Sequence, residues 1–187
     1  MIEGAGLRER LIAAGIEELG TRGLGDFSVR RIAAKCGVSC AAPYKHFADK
    51  QAFITAIVKH ISRTWDERQR AAAARYTETQ MRLVEVCREY ISFLVENPQL
   101  RTIIMQKDDI GGSMGALRGQ LSMQTNALVS QYCDEVNMPD DVRTRKTYVV
   151  RSLIYGAALL LDNGELPYTP ENLDMVAAAI NREFDLK

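Results

Sequence analysis

Apolar residues return along this chain at three- and four-residue steps, the period of an amphipathic α-helix, and alternating strand-like stretches are hard to find. Near the amino end Leu7, Leu11 and Ala14 lie beside a second stripe of Ile12, Ile16 and Leu19. They predict a helix with a wide apolar face over about 5–22, stopped by Gly23 and Gly25. Ser28 is a good N-cap for a short second helix whose Val29, Ile32, Ala33 and Cys36 follow one face. Gly37 ends it, since glycine takes the left-handed conformation a sharp turn needs, and Val38 follows as a buried turn residue. Ser39 is placed to cap a third helix running to about His46. Asp49 caps a fourth that carries Ile54, Ile57, Val58, Ile61 and Trp65 on one side.

Further helices are predicted near 77–96, 98–107, 113–137, 141–162 and 170–184. The breaks between them are Asn97-Pro98, Gly111-Gly112, Met138-Pro139 and the run from Asn163-Gly164 to Pro170. No internal repeat stands out, and Ala71–Ala74 is a short helical alanine run. The expectation is an all-α fold.

Composition changes this picture little: 47% apolar and 26% charged residues over 187 positions are a globular balance that rules out general disorder. Tyr148–Leu161, the longest apolar stretch, is interrupted by Arg151 and Ser152 and is too short to span a membrane. Glu3, Glu9, Glu17 and Glu18 break up the first thirty residues, which argues against a signal peptide and for the cytoplasm. In that compartment Cys36, Cys40, Cys87 and Cys133 are expected as reduced thiols.

Charge adds more. The net charge is zero, yet between residues 28 and 50 Arg30, Arg31, Lys35, Lys45 and Lys50 face only Asp49. A local basic patch on a neutral protein suits either a solvated helix face or an anionic partner at one place.

Residues 28–47 spell a helix, a short turn with glycine and a second helix, the arrangement that sets a helix into a DNA major groove. The stretch Ser28-Val-Arg-Arg-Ile-Ala-Ala-Lys-Cys-Gly-Val-Ser39, followed by Ala42-Pro-Tyr-Lys-His-Phe-Ala-Asp-Lys50, resembles the DNA-binding domain of the TetR family of bacterial transcriptional regulators. The resemblance covers about 5–58, with Ile32-Ala33, Gly37-Val38-Ser39, Tyr44-Lys45-His46-Phe47 and Lys50 in the family's register.

The resemblance implies a three-helix helix-turn-helix DNA-binding domain over 1–48 and a larger helical ligand-binding and dimerisation domain over 49–187. It implies that Tyr44 and His46 hold the DNA backbone, which fixes register without reading sequence. Lys50 matches a phosphate position at a helix start, where free N–H groups also favour an anion. Ser28 matches a place where the second helix meets the backbone; its hydroxyl caps, binds phosphate, or does both. Cys40, Ala41 and Ala42 fall where base readers sit, but they are poor hydrogen-bonding groups. Ser39 and Pro43 are also DNA-binding candidates, Pro43 at a position where many family members carry another apolar residue. Pro43 also removes a backbone donor and makes an irregular helix start expected. Arg30 and Lys45 are the long donors that remain, so a modest hydrogen-bond code supplemented by DNA shape is implied. Phe47, Val38 and Ile32 read as core.

For the rest of the chain the resemblance implies a homodimer on a palindromic operator, regulated by a small-molecule effector. Tyr148, Ser152, Tyr155, Gly156, Leu159, Val176 and Ile180, on the last two helices, are the candidate dimer residues. Trp65, Tyr90, Phe93, Met105, Met123, Tyr132 and Tyr155 are the candidate effector contacts, aromatics and methionines that suit either ordinary core or a largely apolar pocket with phenolic handles. The segment Arg151–Gly164 is also similar to a subgroup with a Trp…His-Gly signature, with Arg151 and Tyr155 in place of the Trp and His.

Other chemistry is weakly supported. Gly111-Gly-Ser-Met-Gly115 lacks the preceding strand and the Gly-Lys-Ser/Thr ending of a phosphate loop. His46 and His60 are the only histidines, and no nucleophile elbow appears, so no catalytic residue, metal or cofactor is expected. A thiol- or metal-responsive regulator built on Cys36 and Cys40, and a helical adapter without DNA binding, are the alternatives weighed.

Overall fold

In a computed structural model, residues 6–99, 101 and 113–185 are described. They form seven α-helices and one 3-10 turn, with no strand among them. The helices are α1 (Leu7–Arg22), α2 (Val29–Lys35), α3 (Lys50–Ala73), α4 (Thr79–Glu96), α5 (Ser113–Glu135), α6 (Asp140–Asp162) and α7 (Pro170–Asp185); the 3-10 turn is Pro43–Lys45. The helix predicted near 98–107 lies mostly outside the described residues, as does the Gly111-Gly112 break.

The backbone divides into two compact units. One holds the residues described up to Thr64 with those between Pro98 and Gln120; the other runs from Trp65 to Asn97 and from Leu121 onward. α3 and α5 each contribute to both.

In the first unit α1 packs on α2 over a core of Leu11, Leu19, Phe27, Ile32, Phe47, Phe53, Ile57 and Ile61, each at most 5% exposed. Gly15 lets α1 approach α3, because a Cβ there would stand 2.6 Å from Ile57 Cδ1. Local capping sets the ends of α2. The Arg31 N–H donates to Ser28 Oγ at 3.3 Å. At the other end Gly37 takes φ +70°, and the Val38 N–H reaches back to the Ala33 carbonyl at 3.0 Å, closing a Schellman-type turn. Val38 is half-buried there. Ser28→Ala is expected to lower stability by ~1 kcal/mol, and Ser28→Gly by only a few tenths, in chemical denaturation.

The third helix of the expected motif is short and tighter than an α-helix. It is the 3-10 turn, with Ala42 and not Ser39 at its N-cap. Ser39 contributes its carbonyl, which accepts from the Ala42 N–H at 3.0 Å. Pro43 explains the change: without an N–H it cannot join the ladder, and Tyr44, Lys45 and His46 bond three residues back instead of four. α3 then starts as predicted, the Ala52 N–H donating to Asp49 Oδ1 at 2.7 Å.

In the second unit α4 packs against α6 and α7, and α6 against α7. Trp65 is 1% exposed, and its Nε1–H donates to the Leu121 carbonyl at 3.0 Å, fixing α5. Ionic contacts close the edges. Arg68 reaches Glu89 at 2.5 Å and Glu96 at 2.7 Å, and the Tyr168 hydroxyl donates to Glu96 at 2.9 Å. Burial works to raise the Glu96 pKa, but these hydrogen bonds outweigh it and hold the carboxyl below its usual range. Buried Lys146 is satisfied by the Glu183 carbonyl and carboxylate.

Candidate nucleic-acid interface

The candidate DNA-facing side chains occupy two stretches of the first unit, the start of α2 and the segment 39–50. In the second stretch Pro43 and Phe47, four residues apart, are buried, and Tyr44, Lys45 and His46 between them are exposed, Tyr44 by 53%. The inward pair is anchored by aromatic packing. Phe47 stacks on Phe53 at 4.1 Å with 4° between ring planes, and Phe27 meets Phe53 edge-on at 5.6 Å. The Arg8 guanidinium lies 5.6 Å from the Phe47 ring centre, and Lys50 Nζ lies 5.8 Å from that of Phe27. A tight turn therefore presents three consecutive polar tips on a buried aromatic base.

The electrostatics differ from the sequence expectation. Arg31 pairs with Glu18 at 2.5 Å and Asp26 at 3.2 Å, and Lys35 pairs with Glu17. The Glu18 hydrogen bond is the main influence keeping the Arg31 pKa above its ordinary value. Two of the five cations counted between residues 28 and 50 are thus neutralised from α1 and the α1–α2 connection. Arg30, Lys45 and Lys50 remain exposed, and among the described residues none makes an ion pair.

Other candidates are placed as follows. Ser28 is half-buried, with its oxygen accepting the capping bond. Ser39, Cys40 and Ala41 are exposed, while Ala42 is half-buried. Pro43 must be removed from the direct contacts: it is buried, and it shapes the backbone instead. Two positioning residues were missed. Glu18 accepts from the Ser28 N–H at 3.3 Å and Arg31 Nε at 2.7 Å, and Arg10 Nη2 donates to the Cys36 carbonyl at 2.6 Å. Together they hold both ends of α2. Their signal in the sequence is two charges eight residues apart, a spacing that returns to one helix face.

Cys36 is buried with Sγ 3.7 Å from the Arg10 carbonyl, whereas Cys40 is exposed. Among the described residues no three His, Cys, Asp or Glu side chains come together as a metal site.

The effector candidates divide. Trp65, Tyr90, Phe93 and Tyr155 form one aromatic cluster, with Trp65 4.8 Å from Tyr90 and 5.3 Å from Phe93, and Tyr90 6.5 Å from Tyr155. Burial, then the neighbouring Tyr155, raises the Tyr90 pKa. Tyr132 is elsewhere, its ring 5.3 Å from Phe184 and its hydroxyl donating to the Phe184 carbonyl at 3.2 Å. Met123 is 64% exposed, and Met105 lies outside the described residues. Among the dimer candidates Tyr148 is 68% and Leu159 49% exposed, Ser152 and Gly156 are also exposed, and Tyr155 and Val176 are half-buried. Ile180 has no exposed surface and packs as core within the single chain.

Residues 11–57 match the family described as bacterial regulatory proteins, tetR family. Over 117 residues the chain is 28% identical to the nucleoid occlusion factor SlmA of Haemophilus influenzae (strain PittGG); the match covers 63% of this chain and spans about half (50%) of that relative. The fold is shared with a TetR family transcription regulator from Marinobacter aquaeolei VT8, at TM-score 0.76 and 17% identity over 94% of each chain. It is shared too with a protein of unknown function from Rhodococcus sp. RHA1, at TM-score 0.70 and 23% identity over 98% of this chain and 95% of the other. Residues 11–57 thus match the amino-terminal domain of the tetR family of bacterial regulatory proteins, and the described residues share the all-helical fold of a solved TetR family transcription regulator.

Proposed function

We propose that this protein is a dimeric repressor that binds a palindromic DNA operator and is released from it by a small-molecule effector. The observation that carries the DNA half is the turn at Tyr44–His46, exposed between the buried Pro43 and Phe47, with Lys45, Lys50 and Arg30 free of acidic partners among the described residues. Tyr44, His46 and Lys50 hold phosphate, and Arg30 and Lys45 read base edges. Support for the dimer comes from α6, which is apolar on two sides. Val150, Ile154, Ala158 and Leu161 face the core, while Tyr148, Val149, Leu159 and Leu160 are exposed together with Met175 of α7. An apolar surface of this kind is normally covered by a partner. Two copies would then set their turns about one DNA repeat apart or a multiple of it.

Effector control follows by linkage: a ligand that favours one spacing of the two DNA-binding units lowers affinity for the operator. α3 is the lever, because it carries Lys50 in its first turn and Trp65 further along. We place this action in the cytoplasm; no helix among the described residues is long and apolar enough to cross a membrane. Selection of bound sequences from random DNA, with sedimentation of the free protein, is the test. An enriched palindrome and a dimer are expected. A library with no enriched palindrome, or a strict monomer, would overturn the proposal.

A further inference from the structure

The second unit contains a cleft of about 200 Å³ between the end of α3, the first half of α4 and the middle of α5. Arg70 and Arg82 both line it, and among the described residues neither makes an ion pair or a side-chain hydrogen bond. Arg68, Arg75 and Arg88 of the same unit are paired with carboxylates. The adjacent Asp66 carboxylate accepts the Gln69 amide at 2.7 Å and forms no ion pair with either guanidinium. Gln69, 3% exposed, also accepts the Thr125 hydroxyl at 3.0 Å, so one wall of the cleft is a satisfied, fixed polar surface. Ala73, Val86 and Leu128 supply the apolar remainder.

We propose that this cleft binds a small organic anion, its oxyanion head held by Arg70 and Arg82 and its short apolar body laid over Ala73, Val86 and Leu128. Two guanidinium groups without internal partners leave forked donors whose geometry matches a carboxylate or a phosphate ester. The volume falls below the roughly 300 Å³ at which pockets for drug-sized ligands begin, which selects a compact ligand. None of the aromatic residues singled out in the sequence lines this cleft. The inference rests on the reading of the second unit as the regulatory one, and it changes the expected effector from a largely apolar molecule to an anion.

The test is calorimetric titration of the full chain, without DNA, using benzoate, phenyl phosphate, benzyl alcohol and inorganic phosphate. Saturable binding of benzoate or phenyl phosphate at one site per chain is expected, and the tighter of the two identifies the head group. Arg70→Gln and Arg82→Gln should each weaken it about tenfold, with unchanged circular dichroism, and Arg82→Lys should retain part of the affinity. Several results would overturn the proposal: no saturable binding of either aromatic anion, equal binding of benzyl alcohol, equal binding of inorganic phosphate, or unchanged affinity in both glutamine variants. DNA binding by the same variants, measured without anion, should match the parent. Its loss in the parent itself would count against the repressor reading while leaving the anion site standing.

Discussion

Exchanging Lys45 and Lys50 together for glutamine is expected to weaken binding to a selected operator roughly 100-fold at about 0.1 M salt. Lys50 on a phosphate releases counterion with a salt slope near 0.9, about a factor of ten at that concentration, and loss of the Lys45 base contact costs about a further factor of ten. The double variant should also flatten the plot of log affinity against log salt by about 1 unit, the share of Lys50. Lys50→Gln alone should lower affinity evenly across sequences, whereas Lys45→Gln should also relax preference at defined base pairs. The structure supplies the control. Lys35 belongs to the same basic stretch but is paired with Glu17 on α1, so Lys35→Gln should change affinity by no more than about twofold. Equal damage from Lys35→Gln and Lys50→Gln would move the interface from the turn to α2.

The other large effect concerns Trp65. Its indole is 1% exposed, touches Tyr90 and Phe93, and donates to the Leu121 carbonyl. Trp65→Ala removes a large aromatic from a packed interior and leaves that carbonyl without its partner, so a loss of ~3–5 kcal/mol is expected. For a chain of this length that is roughly 6–20 °C in midpoint, read by circular dichroism. Trp65→Phe keeps most of the volume and loses the donor, and should fall between the parent and Trp65→Ala. A drop below ~1 kcal/mol for Trp65→Ala would show that the aromatic cluster is loosely packed and open to ligand. Trp65 is the chain's one tryptophan, so its emission reports on the second unit alone.

The features that could be read from the sequence are those decided within a few residues. Ser28, Gly37 and Asp49 announce helix ends because a cap bonds the backbone two or three positions away, and all three act there. Pro43 announced an irregular start, but the full reduction to a 3-10 turn depends also on Phe47 being drawn onto Phe53, a contact made across the fold. The pairing of Arg31 with Glu18 and of Lys35 with Glu17 was hidden for the same reason. Those partners are 13 and 18 positions apart, and only the packing of α1 against α2 brings them together. Met123 shows the limit of periodicity: α5 spreads its apolar residues around its circumference, so nothing in its pattern announced that Leu121 would face inward and Met123 outward. Arg70 and Arg82 carried no signal at all, since an unpaired arginine looks like any other until its neighbours are in place.

The turn at 43–45 is fastened to its scaffold through the buried Pro43 and Phe47. While Tyr44 and His46 keep the grip on phosphate, Ser39–Ala41 and Lys45 are exposed lettering on a buried mount. Binding preference could be rewritten there, by selection or by design, at almost no cost to how the molecule folds.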